Sequence, residues 1–202
     1  MDKNRRRCGW CSPDSELYIQ YHDAEWGVPL TGDRPLFEML ILEGMQAGLS
    51  WLTVLRKRAS FKEAFDDFDP AAVAAYDDDK IEELLQNPAI IRNRLKIEAA
   101  RKNGRAVLLL QQEYGSFTEY LWRFVNFQPI CNTFAAMGEL PAKTDLSTTI
   151  SKDMKKRGMN FVGPTIVYAF MQAIGMVNDH ETSCFRHAEC VKLGEEFARD
   201  HT

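Results

Sequence analysis

Apolar residues along the chain recur at spacings of three and four, and no stretch shows sustained alternation of apolar and polar positions, so the pattern predicts an almost entirely helical, all-α protein. Asp33, with Pro35 just inside the first turn, opens a helix through Leu36, Phe37, Leu40 and Ile41, with Gly48 as its stop; Ser50 caps the next one. Ser60-Phe-Lys-Glu63 and Ser116-Phe-Thr-Glu119 have the spacing of a capping box, and Asp69-Pro70 is a cap followed by the position that tolerates proline. Asp77-Asp78-Asp79 reads as a further helix start rather than a metal site. Pro88 is expected to open a long basic helix through Arg92, Arg94, Lys96, Arg101, Lys102 and Arg105, bending at Gly104, where glycine costs ~1 kcal/mol relative to alanine. Ser151 to Arg157 reads as a helix ending at Gly158. A tight turn to Gly163 leads into another helix, from Pro164 to Gly175.

With 202 residues, 45% of them hydrophobic, the chain suits one sizeable core, and no repeat or polar linker divides it. We therefore expect a single domain over 1–202, in which roughly 1–30 and 176–190 form a terminal region and 191–202 a tail. The charged fraction of 27% argues against disorder, and the longest apolar stretch, Leu36 to Leu42, is interrupted by Glu38, which argues against a membrane span. A net charge of −4 excludes a uniformly basic surface but leaves room for a local basic face. The basic start, Met1 to Arg7, runs into Cys8-Gly9-Trp10 instead of an apolar segment, so no secretory signal is visible. Five cysteines, an odd number in a chain too large to need staples, suit reduced thiols or metal ligands and hence a cytoplasmic location.

Three constellations carry possible chemistry. Cysteines and histidines gather at both ends, as Cys8, Cys11 and His22 and then His180, Cys184, His187 and Cys190. His180 and Cys184 share a face if helical, and two N-terminal ligands would complete a tetrahedral zinc shell; buried cysteines and scattered histidines are the bland alternative. Glu43 stands among apolar neighbours on most sides, either on an exposed helix face or as a buried carboxylate in need of a partner. Tyr18, Tyr21, Trp26 and Trp51 bracket it, as core or as the aromatic half of a site for a planar cation. The third is Lys155-Lys-Arg157-Gly158-Met-Asn-Phe-Val-Gly163-Pro-Thr165, two helices joined by a hairpin whose lysines, small Gly163 and following helix amides suit a phosphate backbone.

Arg7-Cys-Gly-Trp10, Tyr21-His-Asp-Ala-Glu-Trp-Gly-Val28, Leu42-Glu-Gly44, Gln46-Ala-Gly-Leu-Ser-Trp51, Phe161-Val-Gly163 and Asn178-Asp-His180 together resemble the 3-methyladenine DNA glycosylase I family, from about Arg7 to Cys184. The resemblance implies a helix-hairpin-helix glycosylase fold and base-excision repair of alkylated double-stranded DNA with release of 3-methyladenine. It also implies a structural zinc ion that joins the two ends of the chain through Cys8, His22, His180 and Cys184. It puts the base-recognition acid on Glu43, stacking aromatics on Tyr21 and Trp51, and further pocket residues on Tyr18 and Trp10. The wedge into DNA falls on Gln46, Gly48 and Leu49. Lys155, Lys156, Gly163 and Thr165 are expected to touch phosphates, and no lysine nucleophile is expected. Asp179, next to a metal ligand, is expected to be a helix cap. Phe185 to Thr202 has no match, and a monomer is expected. A zinc-stabilised helical DNA-binding module without catalysis, using the hairpin and Arg92 to Arg105, is the competing reading.

Overall fold

The computed structural model describes residues 5–201; Met1 to Asn4 of the basic start, and Thr202, lie outside the described residues. The chain is mostly helical. Its longer elements are α1 (Glu16–Ala24), α2 (Asp33–Gln46), α3 (Trp51–Ala64), α4 (Pro70–Ala74), α5 (Asp78–Gln86), α6 (Arg94–Tyr114), α7 (Phe117–Trp122), α8 (Asp145–Lys156), α9 (Pro164–Ala173) and α10 (Phe185–Asp200). The pattern did not foresee β1 (Ile130–Cys131) and β2 (Val177–Asn178), which pair in parallel, Ile130 with Val177 and Cys131 with Asn178.

The centre of the molecule is α2. Every residue from Leu36 to Met45 except Glu38 is buried, so this helix is apolar nearly all round, the signature of a helix enclosed by others. It packs against α3, α4, α6, α7 and α9. Any side chain on its last turns is therefore inside the protein whichever way it points, and that is how Glu43 becomes buried.

Several expected starts hold: Ser50 accepts from Thr53 N, Asp69 from Ala71 N and Ala72 N, Asp77 from Lys80 N, and Ser116 from Glu119 N. Others move. Ser60 lies inside α3, whose apolar face runs on to fully buried Phe61, so the capping-box spacing there starts nothing. The long basic helix begins at Arg94, capped by Asn93, because the Asn87 side chain draws Pro88 and Ala89 into a turn by accepting Ala89 N. It runs unbroken through Gly104; a Cβ there would lie 3.0 Å from Ala74 N and from Pro70 O, so the missing side chain is what lets α4 lie on α6. Helix α8 starts at Thr144 instead of Ser151, through a reciprocal box in which Thr144 and Ser147 each bond the other's backbone. Asp33 is the first helical residue of α2, and its carboxylate instead accepts Phe117 N and Thr118 N at the start of α7.

The basic residues of α6 are largely engaged within the fold. Arg94 pairs with Glu82, Arg101 with Asp78 and Tyr76 O, and Arg105 with Ala74 O, which removes them from the free basic face that a simple DNA-binding module would use.

Gly104→Ala should cost ~1–3 kcal/mol through backbone overpacking, lowering the melting temperature by several degrees; an unchanged thermal melt would show that α4 moves aside freely.

Candidate functional site

The two ends of the chain meet in one buried cluster. The ligand atoms of Cys8, His22, His180 and Cys184 all lie within 4.8 Å of one another, close enough to bind a metal ion. His22 comes from α1 and Cys184 caps the start of α10. Cys8 Sγ is 3.3 Å from His180 Nδ1, and Cys184 Sγ is 3.5 Å from His22 Nε2. The far nitrogen of each ring is spoken for: His22 Nδ1 is 2.8 Å from Asp23 Oδ1, and His180 Nε2 is 2.9 Å from the carbonyl oxygen of Trp26. Each far nitrogen donates its proton to that oxygen, which leaves a lone pair on the nitrogen facing the sulfurs, the arrangement metal-binding histidines adopt. Asp23 is in turn gripped by Arg7 through two bonds of 2.8 and 2.6 Å. The hydrogen bond between the two thiols lowers the pKa of Cys184 and raises that of Cys8. Two soft sulfurs and two imidazole nitrogens, without a water-binding gap in the donor set, suit a tetrahedral ion of the zinc type. Cys11 and Cys190 stand outside the four.

Trp26 links this cluster to a cavity of about 270 Å³ lined by Trp10, Tyr21, Trp26, Glu43, Gln46, Trp51, Met137, Leu140, Ala169 and Gln172. Drug-sized ligands occupy ~300–1,000 Å³, so the space suits a single heterocycle. Glu43 is its one carboxylate. The side chain is 4% exposed, and Oε2 is buried without a hydrogen-bond partner among the described residues. Desolvation with no compensating cation pushes its pKa up to about 8. Trp10 Nε1 and Trp51 Nε1 are buried without a partner as well, so the same walls carry two unsatisfied donors and an unsatisfied acceptor. Burial also raises the Tyr21 phenol well above its ordinary value, which keeps the ring neutral.

Tyr21 and Trp51 do not form two opposed plates. Their ring centroids are 5.3 Å apart and the planes tilted by 55°, so they make a corner in which a flat ring stacks on one and meets the edge of the other. Trp10 and Trp26 meet edge to face at 5.0 Å. Tyr18 does not line the cavity: its hydroxyl accepts Leu52 N at the start of α3, and its ring backs Trp10 at 5.8 Å.

A second depression of about 240 Å³ adjoins, sharing Glu43, Gln46 and Ala169 and adding Ala47, Gly48, Leu49, Thr165 and Ile166. It brings the end of α2 against the start of α9. Leu49 is 42% exposed although apolar, and Lys96 Nζ supports its loop by donating to Met45 O and Ala47 O. Gly163 precedes α9, and a Cβ there would meet nothing within 4 Å, so the space outside the first amides of α9 is open. The turn before it is held by Asn103, which bonds the backbone of Asn160 both ways, and by the Ser151 hydroxyl donating to Val162 O. Lys155 and Lys156 are exposed on the last turn of α8.

Asp179 is not a helix cap. It is buried and accepts from Tyr168 Oη, Gln172 Nε2 and Asn132 Nδ2, and it does not line the cavity. Sequence reasoning counted Trp26 among the aromatics that bracket Glu43, and the structure places it in the cavity wall. That reasoning did not find Gln172, Ala169, Met137 or Leu140, which arrive from a helix face and a distant loop without a local signal.

This is a helical protein organised round an aromatic cavity that holds an uncompensated acid, beside an open groove. Residues 10–187 match the methyladenine glycosylase family. The chain is 51% identical over 178 residues to DNA-3-methyladenine glycosylase 1 of Escherichia coli, covering 88% of this chain and 95% of that one, and 46% identical to the DNA-3-methyladenine glycosylase of Haemophilus influenzae, covering 88% and 96%. A crystal structure of 3-methyladenine DNA glycosylase I superposes with a TM-score of 0.86 at 51% identity, covering 89% of this chain and 98% of that one. The Staphylococcus aureus enzyme, solved to explain 3-methyladenine recognition, gives 0.86 at 37% identity, with 89% and 95% covered. The chain belongs to the methyladenine glycosylase family and, within it, is an enzyme of the 3-methyladenine DNA glycosylase I type.

The raised Glu43 pKa makes the folded state bind more protons than the unfolded chain between pH ~4.3, the ordinary glutamate value, and about 8. Its contribution is therefore most favourable below pH ~4.3 and is lost as pH rises through 8. Glu43→Gln removes this dependence and should gain on the wild type, on the order of a few kcal/mol, between pH 5 and 9; parallel pH–stability curves in thermal melts would contradict a buried, unpaired acid.

Proposed function

We propose that the protein hydrolyses the N-glycosidic bond of 3-methyladenine in double-stranded DNA, releasing the free base in base-excision repair. The observation that supports this most is buried Glu43, with Oε2 lacking a partner among the described residues, in a cavity sized for one ring. Methylation at N3 gives adenine a positive charge, and a cation is what that carboxylate lacks. With its pKa near 8, Glu43 is largely protonated in the empty cavity; a cationic base draws out the charged form and completes an ion pair, neutral adenine does not, and discrimination follows from that difference. The aromatic corner of Tyr21 and Trp51, with Trp10, adds stacking and cation–π attraction worth ~0.5–2 kcal/mol per ring. The cationic base is already a good leaving group, because the electrons of the breaking bond neutralise it. Water then takes its place on the sugar, and neither a strong acid catalyst nor a lysine nucleophile is needed.

The base reaches such a cavity only if its nucleotide leaves the stack, at a cost of a few kcal/mol that is lower for damaged bases. Gln46, Gly48 and exposed Leu49 are placed to fill the gap left behind. The α8–hairpin–α9 unit reads as a helix-hairpin-helix grip on the phosphates, with Gly163, Thr165 and the open end of α9 at its tip and Lys155 and Lys156 adding charge. Tyr18 acts behind Trp10, as support for the cavity wall. A zinc ion held by Cys8, His22, His180 and Cys184 would be structural, tying the chain ends together beside the Trp26 wall. Five unpaired cysteines suit a reducing, cytoplasmic compartment; one domain over 1–202 follows from the lack of a linker, a monomer from repair at a single site, and α10 adds a brace in which Phe197 packs against Trp122 at 4.2 Å. The non-catalytic module leaves Glu43 and the cavity without a task.

Incubation with methylated duplex DNA should release 3-methyladenine, and Glu43→Gln should lower that release at least tenfold with little loss of DNA affinity; absence of the free base with wild-type protein would refute the activity. Cys184→Ala should lose its metal, read by elemental analysis, and melt at lower temperature, and a variant retaining one zinc per chain would refute the ligand set.

A further inference from the structure

Two amide side chains line the cavity, Gln46 at the end shared with the adjoining groove and Gln172 in the wall formed by α9. Gln172 projects from α9, is half-buried and lines the cavity that contains Glu43. Its orientation is set from behind. Nε2 donates to Asp179 Oδ2 at 2.7 Å, and Asp179, as a carboxylate, only accepts. The same carboxylate takes the Tyr168 hydroxyl at 2.5 Å and Asn132 Nδ2 at 2.6 Å, so it is held on three sides and cannot swing to release the amide. The Gln172 main chain is fixed as well, since its carbonyl accepts Gly27 N at 3.0 Å and so ties α9 to the loop carrying Trp26. An amide whose nitrogen is committed has its oxygen on the opposite side, and Gln172 Oε1 has no hydrogen-bond partner among the described residues.

We propose that Gln172 determines base specificity: Asp179 fixes its amide so that the carbonyl oxygen faces the cavity and accepts a hydrogen bond from the exocyclic amino group of the bound purine. This rests on the reading of the cavity as a base pocket and adds to it a second acceptor, neutral where Glu43 is acidic. Glu43 responds to the charge of the base, which any N3-methylated purine cation shares. Gln172 responds to the edge. A purine with a carbonyl in place of the amino group sets two acceptors against each other, and a buried acceptor left without a donor is rejected far more strongly than a missing methyl group. Asp179 is the positioning residue for this contact, and through Asn132 it also anchors the loop that brings Met137 and Leu140 to the cavity.

The test is equilibrium binding of free 3-methyladenine and of 3-methylhypoxanthine, its carbonyl counterpart, followed by tryptophan fluorescence, since Trp10, Trp26 and Trp51 line the cavity. Wild type should prefer 3-methyladenine. Gln172→Met, close in shape but without the amide, should weaken 3-methyladenine about five- to tenfold, the worth of one buried hydrogen bond, and leave 3-methylhypoxanthine nearly unchanged or tighter, so that the preference collapses. Gln172→Leu gives the same readout should the first variant fold poorly, with melting temperature and metal content confirming an intact protein. An unchanged preference, or equal weakening for both bases, overturns the role of Gln172. Failure of wild-type protein to release 3-methyladenine from methylated DNA would instead overturn the reading of the cavity, whatever its affinity for the free, uncharged base.

Discussion

A buried carboxyl group with no cation beside it is the constraint round which this protein is arranged. Glu43 sits on a helix enclosed on nearly all sides, with one oxygen lacking a partner among the described residues and burial lifting its pKa to about 8. Burial of that kind destabilises a fold unless something repays it, and the surrounding aromatic walls offer no charge that could. The unsatisfied indole nitrogens of Trp10 and Trp51 belong to the same imbalance. On the proposed reading a bound planar cation supplies the charge that Glu43 lacks, while the indole donors need acceptor atoms on the same ligand.

The rest of the structure keeps that imbalance in shape. The Cys/His cluster draws residues 8 and 22 against residues 180 and 184, and the Trp26 carbonyl that fixes the His180 ring belongs to a residue of the cavity wall. On the other side Lys96 caps the end of α2 and holds the loop with Leu49, while Asn103 and Ser151 hold the hairpin before α9. Lys96 loses part of its basicity to burial there, so it acts as a support and not as a free phosphate contact. Rigid elements thus present a small cavity and an adjoining groove as one surface, which is what the proposed extrusion of a base would require of it.

Much of this was legible in the residues. Regular spacing of apolar positions predicts the helices because burial of one stripe is a local, periodic property, and caps such as Ser50, Asp69, Asp77 and Ser116 act within a turn of their own position. Local signals misled where a neighbour won: buried Phe61 carried α3 straight through the apparent box at Ser60, and Pro70 and Ala74 needed the bare backbone of Gly104 as a packing surface. The metal ligands were narrowed from seven cysteines and histidines to four only by family resemblance, since spacing alone left Cys11, His187 and Cys190 in play.

By itself the sequence determined the helical class, the central apolar helix with one acid in it, and the family, because these depend on residue type and order. Tertiary structure alone decided that Tyr21 and Trp51 meet as a corner, that Tyr18 stands behind the cavity, that Asp179 serves three donors instead of a helix end, and that Gln172 belongs to the wall. Those outcomes depend on contacts between residues tens of positions apart, such as Asn132 with Asp179 and Tyr18 with Leu52. Orientation and hydrogen-bond partnership across such separations are set by how helices pack, and no periodicity along one chain encodes them.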